Sequence, residues 1–292
     1  MDRIFDTKLI VTRKLRALRG AKPGADFLMA HAVEDLALRL AAVERKFERA
    51  VTLHTLSPAP AAALNASDKV GGVLRIEPHP AFLGGATGLI SPVEALPLAP
   101  ESIDLAVSLL TLHETNDTPG LFAQIRRALR PDGLFLAALP GQDTLAELRA
   151  ALLAAETEIT GGASPRVAPF MDVRDAGGLL QRAGFALPVA DAEKLTVRYD
   201  TMFDLMRDLR AMGATNALSD RSRKPASRQL FMRAAQIYAE RYSDPDGRIR
   251  ATFSTVWMSG WAPHQSQQKP LKPGSAKASL AEALEKLNPG EG

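Results

Sequence analysis

The fold of this chain is decided by the stretch SIDLAVSLLTLHETNDTPGLFAQIRRALRPDGLFLAALP, Ser102–Pro140. Its beginning, Ser102–Leu110, and its end, Leu134–Pro140, are almost wholly apolar, which is typical of strands buried on both faces of a parallel sheet. Between them, Thr118 caps a helix that has proline at its first position. The segment RPDG, Arg130–Gly133, predicts the turn that leads into the second strand. This order predicts a parallel α/β unit.

The same alternation of strands and helices continues on both sides of this stretch. Before it, the apolar runs predict two strands and a weak third one, at Ala50–Leu56, Val73–Ile76 and Thr87–Ile90. After it, the spacing predicts helices that begin near Asp143, Asp172, Met202 and Pro225, and strands at Lys194–Tyr199 and Ile249–Met258. Such a chain is predicted to be an α/β protein with a mostly parallel, doubly wound sheet.

Composition excludes several classes of site. The chain has no cysteine, so disulfides, thiolate zinc sites and cysteine nucleophiles are excluded. The formal net charge is only +3, which gives no overall field that would favour nucleic acid. No apolar run approaches the ~20 residues that span a bilayer. The N-terminus lacks the apolar core of a signal peptide, and Asp2 and Asp6 fit poorly with a transit peptide. We therefore expect a soluble, intracellular protein.

Beyond these patterns, the segment Ser91–Gly141 resembles the class I S-adenosylmethionine-dependent methyltransferases. It has an acid-containing turn, SPVEALP, before one apolar strand, and a helix that ends in a Leu-Arg-Pro-Asp-Gly turn before the next. The run LLQRAGF, Leu179–Phe185, is similar to the family's approach to its sixth strand. The resemblance covers roughly residues 45–190. It implies a Rossmann-like class I methyltransferase fold, with a seven-stranded, mostly parallel sheet, an antiparallel C-terminal strand and a helical insertion.

Four longer runs are similar to a narrower family, the NADH dehydrogenase (complex I) assembly factors of methyltransferase fold. They are Ile4–Ala17, Gly141–Phe170, Met202–Ala217 and Ser259–Ala276, and they include an unusual Gly-Gly-x-Ser-Pro run and a Gly-Trp-x-x-His run. That family contains a mitochondrial arginine hydroxylase, and its bacterial members are usually labelled methyltransferases. The malonyl-carrier methyltransferases of the biotin pathway share the same core and are more distant.

This resemblance implies a function as well as a fold. It implies a methyltransferase-family protein that uses S-adenosylmethionine and acts on a protein substrate, a complex I subunit, during the assembly of respiratory complex I. Two alternatives stay open: a catalytically degenerate member that serves as a binding or assembly module, and a protein arginine hydroxylase. A paired assembly factor is a further implied partner, and nucleic acid is not one. The implied location is the bacterial cytoplasm, peripheral to the cytoplasmic (inner) membrane.

The resemblance and the composition together divide the chain into four expected segments. They are a basic N-terminal arm at 1–25, the methyltransferase core at 26–140, a helical insertion with the C-terminal part of the core at 141–264, and a polar, loosely ordered tail at 265–292. Residues 1–24 carry seven basic side chains against two acidic ones. The arm therefore either binds an anionic partner or membrane surface, or presents a solvated helix face. Its central cations are Arg13, Lys14, Arg16 and Arg19.

The turn after the first predicted strand departs from the family pattern. In that pattern the strand ends in an acid and a Gly-x-Gly-x-Gly turn, because the backbone passes close to the cofactor in conformations that a β-carbon resists. Here Thr52 takes the place of the acid, and His54, Leu56 and Pro58 take the places of the three glycines. Leu56 would project a branched side chain into the cofactor's volume and Pro58 would remove a backbone N–H, and each costs about 1–3 kcal/mol if the native backbone is kept. We therefore expect a turn of changed shape and a reduced cofactor pocket.

The cofactor that the resemblance implies is S-adenosylmethionine. Glu77 ends the second strand, where an acid of the family holds the ribose hydroxyls with charge-assisted hydrogen bonds. The alternative is a strand-end carboxylate that faces solvent. Leu110 and His113 follow the fourth strand, at the edge where ligands bind in open α/β sheets. The expected cofactor-binding residues are Thr52, His54, Ser57, Glu77, Val93, Glu94, Leu110 and His113.

The candidates for catalysis share a side chain that can exchange a proton: His113, Asp117 and His264. A metal site would need two histidines and a carboxylate, as in iron hydroxylases. His113 with Glu114 could supply part of such a set, with a distant histidine such as His54 or His264. The spacing alone predicts no metal site, and a loop histidine satisfied by backbone groups is the alternative for His113. Trp261 and His264 are expected at the mouth of the substrate site, or Trp261 is a packing residue.

Overall fold

Seven strands and eight α-helices follow one another in the computed structural model, which describes residues 3–20 and 24–268. In chain order they are α1 Thr7–Arg19, α2 Phe27–Ala41, β1 Ala50–Leu53, α3 Ala59–Ala66, β2 Val73–Glu77, β3 Gly88–Ile90, β4 Ile103–Leu109, α4 Thr118–Ala128, β5 Leu129–Pro140, α5 Ala146–Thr160, α6 Val173–Arg182, β6 Ala186–Tyr199, α7 Met202–Ala211, α8 Arg228–Tyr242 and β7 Ile249–Trp261. Short 3₁₀ helices lie at Pro80–Leu83 and Leu112–Glu114.

The strands form one sheet in the order β3-β2-β1-β4-β5-β7-β6. Strands β1 to β5 pair in parallel, and β7 is antiparallel to both β5 and β6. The prediction of a seven-stranded, mostly parallel sheet with an antiparallel C-terminal strand is confirmed. The strand order reverses between β1 and β4, and ligands of open α/β sheets bind at the carboxyl edge of such a switch point. Residues that follow β1, β2, β4 and β5 therefore meet at one edge.

Helices cover both faces of the sheet, which explains why β4 and β5 are apolar throughout. On one face, α4 and α6 pack through Phe122 and Leu180. On the other face, α2 and α3 pack through Leu36 and Leu64, beside Trp257 of β7. All five side chains are fully buried. Burial of apolar side chains at this density stabilises the sheet by roughly 1.5–3 kcal/mol for each large residue.

The helical insertion forms a second core above the ends of β6 and β7. Leu148 of α5, Leu205 of α7 and Tyr238 of α8 pack together against Phe253 of β7. Both strands are longer than the sequence patterns predict, because the added residues of β6 continue the pairing with β7 and the added residues of β7 continue the pairing with β5. Strand β6 begins at Ala186 rather than Lys194, and β7 continues to Trp261 rather than Met258.

The predicted turn at Arg130–Gly133 is also different in the structure. These residues lie inside β5, which begins at Leu129. The pairing register with β4 shifts between Ile103 and Leu105, and Asp132 has a φ of 65°. The segment is therefore an irregular start of the strand rather than a separate turn, because Leu129 already pairs with Ile103.

The N-terminal segment is a helix that is fixed to the body of the protein. Asp6 caps α1, and its own N–H donates to the carbonyl of Ala217 at 2.9 Å. Gly213 has a φ of 71°, and a β-carbon at that residue would lie 3.0 Å from the Cα atom of Lys14. The predicted basic arm is thus a packed helix rather than a free extension. Two of its cations, Arg16 and Arg19, are exposed, whereas Arg13 and Lys14 are mostly buried.

Two predictions concern the ends of the chain and membrane contact. Most of the predicted polar tail, residues 269–292, lies outside the described residues. Among the helices that the structure describes, none has the length and apolar character needed to cross a membrane.

Candidate functional site at the carboxyl edge of the sheet

The turn after β1 keeps the left-handed backbone that glycines would favour. His54 has a φ of 51° and Leu56 a φ of 60°, although both carry a β-carbon. Pro58 has a φ of −73° and precedes α3 without strain. The expected change of shape is therefore absent at His54 and Leu56, and each left-handed residue costs roughly 1–2 kcal/mol. Neighbouring contacts hold this backbone, since the N–H of His54 donates to Ile76 and the hydroxyl of Thr111 donates to the carbonyl of His54.

Two of the expected cofactor residues are sealed inside the protein at this turn. Thr52 and His54 are both fully buried, and in the described structure neither the Thr52 hydroxyl nor either ring nitrogen of His54 has a hydrogen-bond partner. Burial lowers the pKa of His54 to about 4, so the ring is neutral at pH 7. The position of the family's acid is thus occupied by a neutral hydroxyl.

Glu77 lies at the end of β2, where the sequence places it, but it is bonded to the protein itself. Its carboxylate accepts hydrogen bonds from Arg75 at 2.9 Å, from the N–H of Leu56 at 3.1 Å and from the hydroxyl of Thr55 at 3.5 Å. The residue is 0% exposed, so the solvent-facing alternative is wrong. Burial raises the pKa of Glu77, while the hydrogen bond and charge of Arg75 act in the opposite direction. This carboxylate joins the turn after β1 to β2.

A small cleft remains beside this turn, and α1 covers it. The small cleft has a volume of about 20 Å³. Its walls are Leu56, Pro78, Phe82, Val93 and Thr111, with Glu114 at one end, and α1 contributes Thr7, Ile10, Val11 and Lys14. Of the expected cofactor residues, only Val93 lines it.

Two other expected cofactor residues are used in local structure. The carboxylate of Glu94 accepts a hydrogen bond from the N–H of Asn116, and its carbonyl accepts one from Gln124 at 2.9 Å. The hydroxyl of Ser57 accepts a hydrogen bond from the N–H of Ala59 at 3.2 Å. These hydrogen bonds hold the chain around the small cleft, so Glu94 and Ser57 serve the local structure.

The residues around the small cleft do not fit S-adenosylmethionine. A ribose would need the Glu77 carboxylate, which is fully buried and already accepts three hydrogen bonds. The turn that should approach the methionine part carries the side chains of His54 and Leu56. Binding would require the turn to release Glu77 and to move, so we derive no chemical step through this cofactor.

A large cavity lies next to the small cleft, beyond the ends of β4 and β5. Its volume is about 140 Å³, and its walls are mainly apolar. The polar groups at its wall include His113 and Glu114 from the 3₁₀ helix after β4, and Arg166 from the loop between α5 and α6. Leu110, another expected cofactor residue, lines it with a φ of 56°. Glu114 lines both the small cleft and the large cavity.

His113 is held as a neutral side chain at the wall of the large cavity. Its ring lies against Phe170, with centroids 5.9 Å apart, and its Nε2 atom is 3.9 Å from the Glu114 carboxylate. Burial lowers the pKa of His113 to about 4. Nδ1 has no hydrogen-bond partner in the described structure, so the alternative of a histidine satisfied by backbone groups is wrong. A neutral imidazole with a free nitrogen can accept a hydrogen bond or a proton.

Arg166 is fixed by a carboxylate from behind the cavity wall. Its guanidinium binds Glu156 through two hydrogen bonds, at 2.9 Å and 2.6 Å. Glu156 also accepts hydrogen bonds from the N–H and the hydroxyl of Ser164. The hydrogen bond from Arg166 is the largest cause that lowers the pKa of Glu156. This pair shapes the Gly-Gly-x-Ser-Pro run, which the sequence singled out without assigning any of its side chains to the site.

The structure does not bring the three catalytic candidates together. Asp117 is an exposed helix cap that accepts a hydrogen bond from the N–H of Gly120 at 2.9 Å. His264 follows β7, whose last residue, Trp261, pairs with Leu134 at the start of β5. His264 therefore lies at the amino edge of the sheet, opposite His113, because β7 runs antiparallel. Its ring contacts Ser266 at 2.7 Å.

The structure also bears on the role of Trp261 and on the residues considered as metal ligands. The ring of Trp261 lies beneath the guanidinium of Arg45, at 5.8 Å, and is partly buried against the core, so Trp261 is a packing residue at the amino edge. Within residues 3–20 and 24–268, no group of three His, Cys, Asp or Glu side chains is arranged to hold a metal ion.

Comparison with known proteins gives relatives of two kinds. Residues 40–137 match the profile of the family described as "Methyltransferase domain". Over 183 residues the chain is 48% identical to the mitochondrial arginine-hydroxylase NDUFAF5 of Dictyostelium discoideum, a match covering 62% of this chain and 42% of that protein. It is 39% identical over 182 residues to a malonyl-[acyl-carrier protein] O-methyltransferase of Laribacter hongkongensis, covering 62% and 59%.

A solved structure supports the fold. The YcgJ protein from Bacillus subtilis is 13% identical, with a TM-score of 0.54, and the match covers 80% of this chain and 99% of that one. The chain spans about half the length of the curated relatives that it matches. The relatives named arginine-hydroxylase are mitochondrial proteins, so the expectation of a cytoplasmic location is wrong on this comparison.

Proposed function

We propose that this chain, which has the class I methyltransferase fold and matches the family described as "Methyltransferase domain" over residues 40–137, acts on a protein substrate through the large cavity, as a protein arginine hydroxylase in the assembly of respiratory complex I. Arginine hydroxylation is the activity in the names of relatives at 43–48% identity. The complex I role is the one that the sequence resemblance implies. The single observation that carries the proposal is the large cavity itself.

The character of the large cavity supports a substrate side chain as its occupant. Its walls are apolar with a few convergent polar groups, which is typical of ligand sites. It opens at the carboxyl edge of β4 and β5, where this class of sheet binds ligands. Beside the small cleft, by contrast, the buried acid Glu77 is bonded to the protein.

The chain's own residues take limited and definite roles in this proposal. Nδ1 of the neutral His113 ring has no hydrogen-bond partner in the described structure, and it can accept a hydrogen bond from a substrate N–H group. Phe170 and the apolar wall exclude water around the bound side chain. Arg166 holds the loop wall in place through Glu156. The oxygen atom must come from an oxidant, and no residue is assigned to it.

The test is mass spectrometry of complex I subunits from a strain in which the chromosomal gene is deleted. We expect one arginine of a subunit to carry the mass of one extra oxygen atom in the parent strain and to be unmodified in the deletion strain. A plasmid copy with His113→Gln should fail to restore the modification. The matched control, His264→Gln, changes a histidine at the opposite edge of the sheet and should restore it. Unmodified arginines in the parent strain would refute the proposal.

A second candidate function is methyl transfer from S-adenosylmethionine, favoured by the match of residues 40–137 to the methyltransferase profile. In the same spectra it would appear as an arginine or another side chain heavier by one methylene group. The third candidate, a non-catalytic assembly module, would lower the amount of complex I in the deletion strain without any change of mass, and His113→Gln would restore the complex.

A further inference from the structure

We propose that Glu114 anchors the guanidinium group of a substrate arginine in the large cavity, and that Lys14 is the resident cation which the guanidinium displaces. This inference rests on the proposed function, because it names the residue that selects the substrate side chain. It assigns a role to two residues that the sequence patterns considered in other roles: Glu114 as part of a metal-ligand set, which the spacing alone does not predict, and Lys14 as a cation of the basic arm.

The first observation is the position of Glu114. It ends the 3₁₀ helix Leu112–Glu114, which follows β4 after the left-handed residue Leu110. Its side chain is 13% exposed and lines both the small cleft and the large cavity. In the described structure its Oε2 atom is buried and accepts no hydrogen bond. A carboxylate normally accepts several hydrogen bonds when it is buried. Glu114 therefore has bonding capacity that is free for a donor.

The second observation is the charge of the large cavity. Among its lining residues, Glu114 is the one carboxylate. Arg166 is neutralised by Glu156, which binds it with both carboxylate oxygens. His113 is neutral at pH 7, because burial lowers its pKa to about 4. A ligand cation therefore meets one negative group in an apolar setting, where a charge pair is stronger than in water.

The third observation is the weak contact between Glu114 and Lys14. The Lys14 ammonium approaches from α1 and lies 3.5 Å from Oε2 of Glu114, with its side chain 12% exposed. This distance exceeds the ~2.7–2.9 Å of a charge-assisted N–H···O bond. The helix cannot easily move closer, because α1 packs against Gly213 and Arg13 binds the carbonyl of Asn216. Lys14 compensates the charge of Glu114 without satisfying its hydrogen bonding.

These contacts favour arginine over lysine as the substrate side chain. A guanidinium presents a planar fork that can donate two parallel hydrogen bonds to one carboxylate. An ammonium from a substrate lysine would replace the resident ammonium with the same kind of group and gain little. The displaced Lys14 can turn along the small cleft, which its side chain already lines. Selectivity for arginine thus arises because the Lys14 ammonium and the substrate guanidinium compete for the Glu114 carboxylate.

The test is a binding titration of the full chain with acetylated, amidated pentapeptides that carry one central residue among alanines. The central residue is arginine, lysine or citrulline, which has nearly the shape of arginine without its charge. We expect the arginine peptide to bind at least about tenfold more tightly than the other two. Glu114→Gln should weaken binding of the arginine peptide by roughly ten- to a hundredfold. Glu48→Gln, a neutralised carboxylate whose side chain is 85% exposed, should change nothing.

The variant Lys14→Met tests whether Lys14 competes with the substrate guanidinium for Glu114 or supports its binding. If Lys14 competes, this variant should bind the arginine peptide a few times more tightly and should accept the lysine peptide as well. Weaker binding of the arginine peptide to Lys14→Met would overturn the role of Lys14. Equal binding to Glu114→Gln and the parent chain, equal binding of the citrulline peptide, or no binding at all would overturn the anchor. Thermal unfolding of each variant confirms that it is folded.

The outcome can be told apart from that of the proposed function. Tight, Glu114-dependent binding together with unmodified arginines in the parent strain would keep the anchor and refute arginine hydroxylation. Modification at the parent level in a strain that carries Glu114→Gln would refute the anchor and leave arginine hydroxylation in place.

Discussion

The small cleft and the large cavity lie side by side at the same edge of the sheet and share Glu114, yet they are built in opposite ways. Beside the small cleft the buried acid, Glu77, is bonded to Arg75, Thr55 and the backbone of Leu56. In the large cavity, Glu114 and His113 have atoms with no hydrogen-bond partner in the described structure. The carboxylate of Glu77 holds the fold, whereas Glu114 and His113 keep polar atoms free. Free polar groups at the wall of a cavity are those that a ligand can satisfy.

The turn after β1 shows how the first region became structural. Its backbone keeps the dihedral angles of a glycine turn at His54 and Leu56. The N–H of Leu56 donates to Glu77, so the turn and the end of β2 are joined by a hydrogen bond inside the protein. The backbone conformation of a cofactor loop can thus persist after its residues have changed.

The largest expected effect comes from breaking the buried pair of Arg75 and Glu77 beside the small cleft. Arg75→Met leaves the carboxylate of Glu77 buried without its cation, which should lower the free energy of unfolding by about 3–5 kcal/mol. The double variant Arg75→Met with Glu77→Gln removes both charges and should recover most of that loss. Denaturant unfolding measures both. A single variant as stable as the double variant would contradict a structural role for this pair.

The same variant has a defined pH dependence. The folded-state pKa of Glu77 is raised above its ordinary value of 4.5, mainly by burial. The stabilising contribution of its proton is therefore full below about pH 4.5 and is lost as the pH rises through the folded pKa. Removing Arg75, which acts to lower that pKa, should widen this window. The stability loss in Arg75→Met should therefore grow as the pH rises above about 4.5, and a loss independent of pH would count against it.

A smaller effect is expected where α1 meets the body of the protein. Gly213→Ala adds a β-carbon at a φ of 71° and within 3.0 Å of the Cα atom of Lys14. Gly247→Ala is the matched control, because Gly247 has a φ of 83° with nothing within 4 Å. The control should cost about 1 kcal/mol and Gly213→Ala about 2 kcal/mol or more. Limited proteolysis should cut α1 faster in Gly213→Ala alone. Equal loss in both variants would mean that α1 is not held at Gly213.

The smallest effect is expected on the exposed side of α1. With Arg13 and Lys14 turned inward, Arg16 and Arg19 remain as a solvated face. Changing both to Gln should alter the free energy of unfolding by less than about 0.5 kcal/mol. It should also leave the set of proteins captured in a pull-down unchanged. A loss of captured partners would instead favour the alternative that this face binds an anionic partner.

The sequence predicts the fold well because the core strands are apolar runs, and it predicts the edges less well. Strand β6 begins at Ala186, eight residues before its predicted start, because this edge strand is half exposed and carries alanine and acids rather than a continuous apolar run. The pairing of Arg75 with Glu77 can be predicted from the sequence, since residues two apart share one face of a strand. The contacts of Lys14 with Glu114 and of Glu156 with Arg166 cannot be predicted from the sequence, because tertiary packing alone brings these residues together.

The most direct test of the contrast between the two regions is a calorimetric titration of the full chain with S-adenosylmethionine. The same preparation should bind the arginine pentapeptide, which establishes that the large cavity is intact. We expect no heat of binding with cofactor at millimolar concentration, because Glu77 is fully buried and its carboxylate is bonded within the protein. Saturable binding with a micromolar dissociation constant would contradict the account, because the small cleft would then be a working cofactor site.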